Sequence, residues 1–237
     1  MPRSSSTPFG ADEEQMAAES TDAGPAQVME YASQVVEYVR RSLGVSLAYD
    51  SETLPVLDHY LRQVAMAAPS RASEQPEVLA ADLLAATAGA YFGEVVRRRV
   101  GGSWHLPSGD PGTWRLVLPS GLWFFPAAMA MAAIRGPDDG SSLDRDESDP
   151  DRDPDADMDE ADLDADGVEV IGDWDASLQA PPFLRPHVER VLHGMADVSE
   201  DEFYSLCCRL DTLEHVQAVL VAMASARRSQ PDPDTLD

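Results

Sequence analysis

Glu94 is the one charged residue in the small, apolar stretch Gly89 to Val95, and a carboxyl in such a setting is the place to look for chemistry. Half-buried against Tyr91 or Trp104, its charged form would be disfavoured and its pKa raised, the condition for a general acid or base near neutral pH. Tyr91, Trp104 and Arg98 would then line a cleft between a helix and a sheet. The same stretch offers a plainer use. Arg97 and Arg98 follow Glu94 by three and four residues, the spacing of ion pairs on one helix, and that structural pairing is the expected one.

A second pattern is Asp162-Leu163-Asp164-Ala165-Asp166-Gly167, which fits the opening of a calcium loop: alternating carboxylates face the ion and glycine makes the sharp turn. Asp173 stands at the twelfth position. Three features count against it: Asp173 is shorter than the usual glutamate, Glu169 occupies a normally apolar position, and no helix precedes the loop. His187, Glu189 and His193 lie close enough to suggest a metal set but lack the His-Glu-x-x-His pattern, so surface helix residues are expected there. Cys207 and Cys208 point about a hundred degrees apart on a helix and read as packing thiols. His59 and His105 have no nucleophile or second base at a recognisable spacing, and no phosphate loop, dinucleotide fingerprint or nucleophile elbow occurs.

The elements that would carry these residues follow from periodicity. Val28, Tyr31, Ala32, Val35, Val39 and Leu43 mark one face of a helix over Ala26 to Leu43, which Gly44 should stop with a left-handed cap. Asp50 or Ser51 can cap a second helix bearing Leu54, Leu57, Leu61 and Val64. A third, rich in alanine and glycine, runs from Pro76 to about Val100 and should be central. Gly89 and Gly93 lie one turn apart on it and admit a neighbour at close range. Beyond Gly101-Gly102 the period changes: Trp104 and Leu106, then Trp114 to Leu118, then Leu122 and Phe124, separated by turn residues, predict a three-stranded antiparallel meander. Pro126 opens a fourth helix ending near Arg135. Val168 to Ile171 is a further short strand candidate, with Trp174 as an anchor. Phe183 to Met195 and Ser199 to Arg227 are the last two predicted helices, Ser199 and Glu202 having capping-box spacing.

The stretch Gly89-Ala90-Tyr91-Phe92-Gly93-Glu94-Val95, followed by Gly101-Gly102-Ser103-Trp104 and hydrophobic strands ending at Pro126, resembles a family of uncharacterised bacterial proteins. In that family a helix with a similar Gly-Ala-Tyr-x-Gly-Glu-Val signature leads through Gly-Gly-x-Trp into a small sheet. The likeness spans Leu43 to Ile134. It implies an α+β fold and no known activity.

Composition bounds the rest. The chain has 237 residues, a formal net charge of −26 and no lysine. Residues 138–175 hold 18 acidic and 2 basic side chains, a net of −16, so the run is expected to be a loop that cannot bury enough apolar surface to order itself. Such a surface repels phosphates, which makes nucleic acid an unexpected partner. Nothing resembles a secretory signal, the apolar run Gly121 to Ile134 is too short to span a bilayer, and two adjacent cysteines fit a reducing compartment; the expectation is cytoplasmic, with no membrane contact. The expected organisation is a disordered tail (1–24), an α+β core with helices on one face of the sheet (25–136), an acidic, mostly disordered insertion (137–180), C-terminal helices packing on the core (181–228), and a second tail (229–237). With no catalytic set evident, the leading expectation is a noncatalytic interaction or regulatory protein. Its acidic run would engage a basic protein partner, while calcium binding and an enzyme using Glu94 are the alternatives.

Overall fold

The computed structural model describes residues 24–67, 76–136 and 178–229. The first helix, α1 (Ala26–Leu43), buries Val28, Ala32, Val35 and Val39, the stripe that the periodicity predicts. Gly44 ends it at φ +71°, a conformation glycine takes without steric cost, and donates its N–H to the Arg40 carbonyl. On its outer side, Glu37 accepts hydrogen bonds from Arg40 at 2.8 Å and Arg41 at 2.6 Å, and these hold its carboxyl down to about 2 from an ordinary 4.5. A carboxylate depressed in the folded state stabilises it above the ordinary value and loses that contribution as pH falls through the lowered one. An NMR titration of Glu37 is therefore expected to show a midpoint near 2 that returns toward 4.5 in an Arg40→Ala, Arg41→Ala double variant.

Asp50 accepts from the Thr53 N–H at 2.9 Å and caps a 3₁₀ turn, Ser51–Thr53, that runs into α2 (Leu54–Ala67). The long α3 (Pro76–Val100) is central, as its alanine and glycine content predicts, and packs chiefly on α1 and on α4 (Pro126–Arg135). The packing is close because side chains are missing where backbones meet. A Cβ on Gly89 would lie 2.5 Å from the Ala127 nitrogen of α4, and one on Gly93 would collide with the Trp104 ring.

Among the described residues the sheet contains four strands rather than the predicted three. Strands β1 (Ser103–His105), β2 (Arg115–Val117) and β3 (Trp123–Phe124) form the antiparallel meander, and β4 (Leu178–Gln179) adds to β3. Register places Trp104, Leu116, Phe124 and Leu178 in one row across all four strands, the last three fully buried. Leu178 and Gln179 fall inside the stretch expected to be insertion, and the reason is this pairing: Leu178 completes the apolar row. Gly24, assigned to the tail, is buried.

The C-terminal segment differs in a second respect. The single helix expected over Ser199 to Arg227 is two, α6 (Glu200–Phe203) and α7 (Leu206–Ser229), preceded by α5 (Arg185–His193). Ser199 accepts from the Glu202 N–H at 3.4 Å, the forward half of the expected capping box. The break at Tyr204-Ser205 is fixed from outside the segment, by α2. Helix α7 packs on α5 and α2, so these helices belong to the same hydrophobic core as the sheet.

Candidate functional site

The structure brings Glu94, Trp104, Arg98 and Tyr91 into one neighbourhood, as expected, and then gives each a structural task. Glu94 is completely buried. Its Oε1 accepts from Arg97 Nε at 2.9 Å and Trp104 Nε1 at 2.7 Å; its Oε2 accepts from Arg97 Nη2 at 3.1 Å and has Arg98 Nε at 3.7 Å. The fork of Arg97 meets both oxygens, the geometry in which a guanidinium binds a carboxylate most strongly. Gly24 closes the remaining side, where even a Cβ would overlap Oε1. A carboxylate enclosed in this way has no open face for a substrate.

The same ion pair is continued outward by rings and hydroxyls. The Arg98 guanidinium stands 4.8 Å over the Tyr49 ring, and the Tyr49 and Tyr91 rings lie 4.9 Å apart. Tyr49 is the one described non-glycine residue at positive φ, +58°. Its backbone N–H donates to the Tyr91 hydroxyl at 3.0 Å, and that hydroxyl also meets Thr53 Oγ1 at 2.8 Å. Burial pushes the pKa of both tyrosines up, so their hydroxyls stay protonated and remain donors. The chain Glu94, Arg98, Tyr49, Tyr91, Thr53 thus fastens the link between α1 and α2 to α3.

A second buried carboxylate, Asp58 of α2, was not singled out from the sequence. Its Oδ1 accepts from the Leu206 N–H at 2.8 Å and its Oδ2 from the Cys207 N–H at 3.1 Å, so a residue 148 positions away caps the start of α7. Its signal was present: Asp58 shares the buried face of α2 with Leu54, Leu57 and Leu61. Burial, and then Asp58, push the Cys207 thiol well above its ordinary value, which agrees with the packing role expected for it.

The other residues singled out do not converge. His193 Nδ1 lies 2.7 Å from the Glu189 carbonyl of its own helix, whereas both nitrogens of His187 face arginines. His59 and His105 are exposed on different elements. Among the described residues no group of three His, Cys, Asp or Glu side chains could hold a metal, and no helix is long and apolar enough to cross a membrane. Asp162, Asp164, Asp166 and Asp173, the strand candidate Val168 to Ile171 and most of the acidic run lie outside the described residues.

What the surface does offer is a groove of about 430 Å³ between α5, α7 and the turn at Pro119-Ser120. Phe183 stands at it 71 % exposed and Val221 46 % exposed, with Leu184, Leu220 and Met223 behind them. Among the described exposed large apolar side chains Phe183 is the only aromatic. A second hollow of about 420 Å³ lies between α1, α3 and α4, lined by Tyr31, Leu83, Ala86 and Met131 with Asp82 and Asp110 beside them. There the Asp110 carboxylate is already used, accepting the Gly112 N–H at 2.9 Å. Neither space is lined by Glu94.

Comparison with protein-family models, with curated proteins and with solved structures gives no match. The resemblance read from Gly89 to Trp104 therefore rests on those residues alone.

Proposed function

We propose that this chain is a noncatalytic interaction protein that receives a protein partner in the groove between α5 and α7. The observation that carries the reading is the exposed ring of Phe183 beside Val221 on a concave apolar surface. Aromatic side chains left open at a concavity are the usual anchors of protein contacts. The enclosure of Glu94 supports it from the other side, since that carboxyl was the leading candidate for catalysis and both its oxygens are engaged. The acidic run 138–175 belongs to the same reading as a contact for a basic surface, one that would steer a partner's approach.

Affinity capture from native lysate with the full chain, a Phe183→Ser variant and a 138–175 deletion tests this. One stoichiometric protein is expected with the full chain, reduced at least tenfold by Phe183→Ser and abolished by the deletion if the acidic run also binds. Equal capture by the full chain and Phe183→Ser would remove the groove from the proposal.

A further inference from the structure

The rim of the groove has a charge pattern opposite to the chain as a whole. Arg190 Nη1 and Arg227 Nη2 each stand 3.2 Å from one nitrogen of the His187 ring, one on Nδ1 and the other on Nε2. A neutral imidazole has a single lone pair in its plane, so it can accept from only one of these guanidinium groups at a time; a protonated ring can accept from neither. Three other exposed arginines are matched by carboxylates: Arg40 and Arg41 by Glu37, Arg99 by Glu214. Arg190 and Arg227 have no carboxylate within ion-pair distance among the described residues, in a chain with 43 acidic side chains and 17 arginines. Two guanidinium groups therefore converge on one imidazole beside an apolar concavity, with donors left over.

We infer that the groove binds an acidic peptide segment of a partner protein, one that carries an apolar side chain next to its carboxylates. This deepens the groove part of the proposed function and rests on it, the basic surface that the run 138–175 would meet being a separate contact on the same partner. The apolar side chain packs on Phe183, Leu220, Val221 and Met223, and a carboxylate bridges Arg190 and Arg227 across His187. Arginine suits this task because its planar fork presents several donors to one carboxylate, and charge-assisted bonds of that kind are about twice as strong as neutral ones. Charge complementarity selects this occupant. A basic segment would meet two arginines and a histidine, and a purely apolar one would leave their donors unused.

Fluorescence anisotropy on the full chain tests the inference with three labelled twelve-residue peptides that share alternating Leu and Phe: one interleaved with Glu, one with Gln and one with Arg. The Glu peptide is expected to bind at least tenfold tighter than the Gln peptide, with binding that weakens as salt is raised, and the Arg peptide least. Arg227→Ala and Arg190→Ala, both exposed and remote from the core, should each weaken the Glu peptide about tenfold and leave the Gln peptide unchanged. Equal affinity for the Glu and Gln peptides overturns the inference while leaving an apolar docking groove in place. Binding of neither peptide up to millimolar concentration overturns the inference as well. So does sedimentation showing a dimer of the full chain that Arg227→Ala disperses, since the occupant would then be a second copy.

Discussion

Glu94→Gln is expected to destabilise the fold by about 3–5 kcal/mol, the range for removing one partner of a buried ion pair. The amide keeps the shape of the carboxyl but can accept through one oxygen only, while Arg97 and Trp104 both donate to this site. Arg97 would then remain largely buried beside a neutral group, its side chain 14 % exposed. A single domain of this size has about 5–15 kcal/mol of stability in all, so the variant should stand close to unfolding. Urea denaturation with an unchanged m-value checks the prediction. A loss below about 1 kcal/mol would mean that Glu94 is not held as described, and would reopen the catalytic reading in which the amide abolishes an activity but spares the fold.

Asp58→Ala is expected to cost about 3 kcal/mol or more and to act at a distance. Two backbone N–H groups at the start of α7 lose a charged acceptor at once, and hydrogen bonds to charged groups are each worth about 1.5–3 kcal/mol. The carboxylate also faces the positive end of the helix dipole. Hydrogen exchange separates this from a general loss of stability: the amides of Leu206 and Cys207 should exchange faster than those of α1 under conditions where the fold is intact. Asp58→Asn, which retains one acceptor, should fall between wild type and alanine.

How much of this could be read beforehand depends on whether the cause lay nearby in the chain. Helix α1 and its glycine stop, the full extent of α3 and the opening of α4 at Pro126 were legible because stripes, caps and proline act within a turn or two. The Glu94 to Arg97 pair was legible for the same reason, three residues being one turn. Strand β4 was not, since two residues carry no alternation and Leu178 is a strand only by virtue of its place beside Phe124. Nor was the division between α6 and α7, which continuous apolar periodicity conceals and Asp58 imposes across 148 residues. The groove was hidden for a related reason. Phe183 has the composition of a core residue, and its exposure follows only from how α5 and α7 meet.

The groove is probed most directly by a photocrosslinking amino acid placed at position 183 in the full chain, expressed in its native cell, with the same probe at position 66 as the control. Met66 is 87 % exposed and lies on α2, away from the groove, so it reports encounters of any apolar surface. A single discrete heterologous adduct from position 183, absent from position 66 and lost on adding Arg227→Ala, is the predicted result. Identical patterns from the two positions, or no adduct at 183, would contradict a partner-binding groove.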